Sequence, residues 1–398
     1  MTTLLHVACY NDLKAWTKKH RRRLLVAAGV VGAGVGTYYF VNSMRARAKA
    51  REEREERQSA ILRKEAEDRA EAQLQSHFES IQRISDSTTL PSVLPHLKTR
   101  LFELVNLSGL TEKLMSGKED PQILSPREKL QLWQELKILS FTRTVCAMWS
   151  VTLLDLFIRT QLNILGRHVY IDTARDMSVV KPGELYKPLS MSCQHKFIAF
   201  ADYLPHKGID GLIRDVHTSV ESIMKSKPLK EPYRIADLRD VFLQIQQSFQ
   251  KSQGNWVQYV LPEDGLLPED LAAASSAADA ARSSTSDSSL ADDEEKLEQL
   301  MFETRNVLIS NEFADVLASA LDAVLEAVLE DLSTIYRGNL DAGIPLAKLL
   351  PPVASTGSTL MEHPDDNRYI QILAQLPQVQ SFCALVYSSS TGEDVELE

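Results

Sequence analysis

Histidine and cysteine are the side chains first asked for catalysis or metal binding, and this chain has nine and four of them. The histidines are His6, His20, His77, His96, His168, His195, His206, His217 and His363, and none stands in an H-x-x-x-H or H-E-x-x-H pattern. Such a pattern would put two imidazoles on one helix face for zinc. Cys193 and His195 lie two apart with no further ligand at usable spacing. There is no G-x-S-x-G elbow and no phosphate-binding glycine loop. Cys9, Cys146, Cys193 and Cys383 are scattered without a C-x-x-C pair, which predicts unpaired thiols in a reducing compartment rather than a disulfide framework. The expectation is a protein without metal, cofactor or catalytic constellation. The spacing that does carry chemistry is adhesive. Leu130 precedes Trp133 by three, and Lys129 and Lys137 flank it by four, so all four share one helix face. An indole among leucines with a cationic rim can anchor an amphipathic partner helix. It can equally be packed inside its own core, and periodicity alone leaves both readings open.

The element that positions Trp133 is a long helix beginning at Ser125. Ser125 and Glu128 have capping-box spacing, and Pro126 falls where a first turn tolerates it. No further Pro or Gly occurs until Gly166, the expected stop. Leu132, Leu136 and Leu139 lie on one side, and residues 145–158 are apolar nearly all round, as in a central buried helix. Its apolar half resembles a membrane span, but the uninterrupted run is short and Arg143 and Arg159 close it off, so a core helix is expected.

Charge divides the chain. The net charge of −10 combines +7 over residues 1–69 with −17 over the rest. A basic end on an acidic body points to a membrane or anionic partner at that end, and makes nucleic-acid binding by the body unexpected. Residues 24–41 form an uncharged run of 18 behind Lys18, Lys19, His20, Arg21, Arg22 and Arg23. Its length is near the minimum for a transmembrane helix, and Tyr38, Tyr39 and Phe40 suit an interface. Six Lys/Arg precede this run and six follow within sixteen residues, so the charge bias does not orient it. Residues 1–23 then form a short basic segment, and 42–398 a cytosolic helical domain that opens with a charged stalk over 42–75.

Beyond the stalk the pattern is helical throughout: all-α, with no sustained strand alternation, in an elongated bundle. Breaks are expected at Pro91, Pro95 and Pro377, polar loops at 116–124 and 172–190, and a disordered Ala/Ser/Asp insertion at 264–293. Phe313, Val316, Leu317, Ala320, Leu321, Val324, Val328 and Leu332 make a helical stripe that belongs either to a coiled-coil partner face or, preferably, to the bundle itself.

Three runs carry a resemblance: Leu132 to Arg143, Gln161 to Gly166 and Val169 to Asp172. They resemble signatures of the peroxin-3 family. The resemblance is strongest from His77 to Ala174 and recurs at Glu303–Asn306 and Pro345–Lys348. It implies a peroxisomal membrane protein with a cytosolic helical bundle that docks peroxin-19, the soluble carrier of new membrane proteins. It further implies a groove that receives an amphipathic peroxin-19 helix, with Trp133 at its centre. Lys129 and Leu136 would neighbour it, Thr111 and Leu114 would form the opposite wall, and Asn163 would contribute from the Leu-Asn-Ile segment. Targeting would lie in Lys18, Lys19, Arg21, Arg22 and Arg23, with contacts to peroxisomal membrane lipids. Organelle-inheritance or autophagy adaptors are further candidate partners. Arg167 stands where the family pattern has a second glycine, the 116–124 loop is longer than the pattern, and the 264–293 insertion has no counterpart in it. Two alternatives carry distinct expectations. A lipid-handling or tethering protein would bury Trp133 beside a closed apolar cavity, and a membrane-anchored hydrolase would converge His, Asp or Glu in one cleft.

Overall fold

The computed structural model describes residues 21–119, 124–177, 188–252, 255–263, 287–336 and 343–389. The chain divides into two compact units, Met1–Gln75 and Ser76–Glu398. In the first, the described residues belong to α1 (Arg21–Ile84), whose last turns lie in the second unit. Residues 36–75 of α1 are exposed, and Glu65 pairs with Arg69 at 3.2 Å. The side chains of residues 22–35 lie outside the described residues, and so do residues 1–20. The spanning assignment of 24–41 therefore rests on the sequence, as does the targeting cluster, of which only Arg21 is described with its side chain exposed.

The second unit is organised on α4 (Pro126–Met177). Its start is the expected capping box: the Ser125 backbone N–H donates to Glu128 Oε2 at 2.8 Å, and the Glu128 N–H donates to Ser125 Oγ at 3.3 Å. The Ser125 hydroxyl, which donates to Glu128 Oε2 at 2.6 Å, and the Ser125 N–H together hold the Glu128 carboxyl below its usual range. Contrary to expectation, α4 does not stop at Gly166. An added Cβ there would sit 2.1 Å from Ile81 Cδ1, so this glycine lets α1 and α4 approach closely. Arg167 continues the helix, pairs with Glu303, and donates to the carbonyl oxygens of Val386 at 2.9 Å and Ser389. The residue that departs from the expected glycine thus ties three helices together. The apolar half of α4 is long and apolar enough to cross a membrane, but 94% of that stretch is buried, as a core helix requires.

Around α4 pack α2 (Leu90–Leu104), α3 (Ser108–Glu119), α5 (Met191–Ala199), α6 (Ile209–Met224) and α8 (Val257–Val260). They are joined there by α9 (Asp287–Leu308), α10 (Asn311–Ser333), α11 (Leu346–Thr359), α12 (Arg368–Gln375) and α13 (Pro377–Ser388). α7 (Ile235–Ser252) packs on α6 and α10. The stripe on α10 is buried along its whole length, so it belongs to the bundle. A two-residue bridge, Pro232–Tyr233 against Ile344–Pro345, is introduced by Gly343 at φ +69°, a left-handed conformation that glycine adopts without penalty.

Several boundaries differ from expectation. A π-helical turn, Ser85–Thr89, carries the chain into α2, and Pro95 lies inside α2 without ending it. α3 extends through Glu119, so the loop expected over 116–124 is helical in its first part, and residues 120–123 lie outside the described residues. Likewise α4 runs to Met177, with 178–187 outside the described residues. The expected insertion loop loses its last seven positions to α9, and 264–286 lie outside the described residues.

Candidate docking surface

The surface is made by α3 and the first turns of α4, which pack against each other. α3 begins with an Asx turn in which the Ser108 N–H donates to Asn106 Oδ1 at 2.8 Å. Leu107 and Leu114 then point inward, with 5% and 8% exposure, and join the core cluster. Thr111 is exposed on the same helix, and its hydroxyl donates back to the carbonyl oxygens of Leu107 and Ser108 at 3.0 and 2.9 Å. On α4, Lys129 and Trp133 are half-buried, with Trp133 packed against the core, while Leu130 remains 58% exposed. Leu136 has 6% exposure and belongs to the core cluster.

Of the six residues expected to meet a partner, Thr111, Lys129 and Trp133 therefore reach the surface, and Leu114 and Leu136 are buried in the core. Asn163 does not join them. It has no exposed area, its Oδ1 accepts from Gln82 Nε2 at 2.9 Å, and its Nδ2 donates to the Arg159 carbonyl at 2.7 Å. Its side chain belongs to the interior network in which Arg159 holds Asp155 at 2.9 Å and Asp86 at 2.5 Å. Lys137, which shares the Trp133 face by spacing, is also interior: its Nζ donates to the Lys227 carbonyl at 2.7 Å. Nearby in sequence two apolar side chains are exposed, Leu104 at 41% and, not singled out by the spacing, Met115 at 60%. Met115 follows Leu114 directly and lies four residues past Thr111, a spacing that would have marked it had the helical run been extended past Leu114.

Elsewhere, the described thiols are buried and unpaired. Burial pushes Cys193 up to about 11 and Cys383 up to about 12, which removes them as nucleophiles. Among the described residues no group of three or more His, Cys, Asp or Glu is arranged to hold a metal ion.

Fold and surface together define a mostly helical protein that leaves apolar side chains uncovered on two packed helices. The Peroxin-3 family model matches residues 115–389. A plant relative from Arabidopsis thaliana, Peroxisome biogenesis protein 3-2, is 38% identical over 95% of this chain and 98% of its own length. Peroxisomal biogenesis factor 3 of Mus musculus is 29% identical over 95% of this chain and 97% of its own. The protein of that name in Yarrowia lipolytica is 23% identical over 66% of this chain. The chain belongs to the peroxin-3 family, whose members are biogenesis factors rather than enzymes. The matched stretch takes in Lys129, Trp133, Leu136 and Asn163, and begins one residue past Leu114.

Proposed function

We propose that this protein is the docking receptor for peroxin-19 at the peroxisomal membrane. It would be anchored by residues 24–41 and addressed there by Lys18, Lys19, Arg21, Arg22 and Arg23, with its helical body in the cytosol. The carrying observation is the half-buried Trp133 beside the exposed Leu130, on a helix start fixed by a capping box. A partner's apolar helix face would bury against Trp133 and Leu130. Lys129 would meet an acidic residue at its edge, and the Thr111 side would bound the other wall. Membership of the peroxin-3 family supports this reading. The lipid-handling alternative expects an interior Trp133, whereas this side chain reaches the surface.

Calorimetric titration of the full chain in nanodiscs with the N-terminal helix of peroxin-19 tests the proposal. Truncating a Trp anchor costs about 2–4 kcal/mol at an interface, so Trp133→Ala is expected to weaken docking roughly thirty-fold to several hundred-fold. Helix content should stay unchanged. Unaltered affinity in the folded variant would overturn it.

A further inference from the structure

Away from Trp133, a second apolar surface lies between α9 and α13, which both pack on α4 and leave an open groove of about 600 Å³ between them. Phe302 on its wall is 68% exposed and Leu385 49% exposed. Isolated exposed apolar residues are ordinary, but two large ones facing one concavity mark an interaction site.

The groove is preformed. At its base Glu303 pairs with Arg167, and His168 Nε2 lies 3.0 Å from Glu303 Oε2. Arg167 also binds the carbonyl oxygens that end α13, which fixes the second wall. Phe382 in the floor is held edge-on against Phe313 at 5.7 Å. A concavity braced by ion pairs and an edge-to-face ring pair does not collapse to hide its apolar lining.

Its charge specifies what fits. Glu303 is engaged by Arg167, so the charge of the lining is that of Glu312, and it contains no Lys or Arg. N-terminal to the lining, α9 also carries Asp292, Glu294, Glu295 and Glu298, while Asp293 accepts from Ser190 Oγ at 2.6 Å and the two cations of α9 are engaged elsewhere: Lys296 donates to the Pro188 carbonyl at 3.1 Å and Arg305 to that of Pro262 at 2.5 Å. From Gln299 to Ser310 the wall runs about three helical turns, ~16 Å. We infer that this groove docks a short amphipathic helix of a partner protein, with Leu-type residues on one face and Lys or Arg at its ends. The site is separate from the Trp133 surface and serves a second partner class.

The test uses full-length protein in zwitterionic nanodiscs and two fluorescent synthetic helices of about three turns. Both carry Leu on one face; one has Lys at both ends and the other Glu. The Lys helix is expected to bind at least ten-fold more tightly than the Glu helix, with the preference shrinking as salt rises. Phe302→Ser should weaken it at least ten-fold, and Glu312→Lys should abolish the Lys preference; both residues are exposed, so circular dichroism should be unchanged. Excess peroxin-19 helix should not displace the peptide. Equal binding of the two peptides, or binding indifferent to Phe302→Ser, would overturn the inference. So would a concentration-dependent dimer lost in Phe302→Ser, which would make a second copy the occupant. Displacement by phosphatidylcholine vesicles would assign the groove to acyl chains and overturn it as well.

Discussion

The Lys137 ammonium donates to the carbonyl oxygen of Lys227 across 2.7 Å from a position without exposed surface. One helical turn beyond Trp133, a buried cation thus ties α4 to the turn that follows α6. Lys137→Met would remove a desolvated charge but orphan a carbonyl, terms of similar size, so stability within about 1 kcal/mol of wild type is expected. Lys137→Ala adds a cavity and should lose a further 2–3 kcal/mol, roughly. Burial holds the Lys137 ammonium below its ordinary 10.5. The unfolded chain then binds the proton more tightly. The cost is complete below the folded value and vanishes as pH rises through the unfolded one. Wild type should therefore gain on Lys137→Met as pH approaches 10.5, measured by denaturant unfolding; parallel curves would contradict this.

Asn163 separates core from surface. Asn163→Ala strips the partner from Gln82 Nε2 and should cost about 1–3 kcal/mol. Peroxin-19 affinity of the folded fraction should stay at the wild-type value. Lost docking with unchanged stability would place this amide in the partner's path.

Gly166→Ala sets two effects against each other. Alanine in a helix interior is worth about 1 kcal/mol over glycine. The new Cβ would lie 2.1 Å from Ile81 Cδ1 and 2.8 Å from Cγ1, and such overpacking costs about 1–3 kcal/mol. A net loss is expected, visible as a lower Tm. Ile81→Ala should convert that loss into a gain, since the clash disappears and the helix benefit remains. Independent effects in the double-mutant cycle would refute the contact.

His77 predicts a mild acid sensitivity. Its Nδ1 lies 2.8 Å from the Tyr387 hydroxyl, and burial lowers its pKa from 6.5. The neutral ring is the form the fold prefers. The contribution is therefore complete above pH 6.5 and declines as pH falls from there toward the folded value. His77→Gln should flatten the stability curve over that window, read by thermal melts between pH 7.5 and 5.

The sequence already contained α4, because capping-box spacing and an all-round apolar run are local signals, and the α10 stripe, because eight residues repeat a helical period. Gly166 misled because helix-stopping glycine and close-approach glycine look alike until Ile81 is seen opposite. Lys137 and Asn163 misled for a related reason. Helical spacing gives a direction around an axis but not which directions meet protein, and their partners Lys227 and Gln82 stand 90 and 81 residues away. Trp133 and Lys129 were legible as a pair on one face. The braced groove at Glu303 was not, since it depends on helices separated by more than a hundred residues.

The buried apolar half of α4 has a consequence for the chain while it is being made. Helices α11 and α13, which cover it, end at Thr359 and Ser388, far downstream of Met177. Synthesis at ~5–20 residues per second leaves this segment without those two covering helices for roughly 10–40 s after it emerges. Throughout that interval it presents the length and hydropathy of a membrane-crossing helix. The nascent polypeptide thus needs either a chaperone at the ribosome or rapid completion to keep the wrong segment out of the bilayer. Slowing elongation between the codons for α5 and α11 is then the most direct way to misinsert this protein.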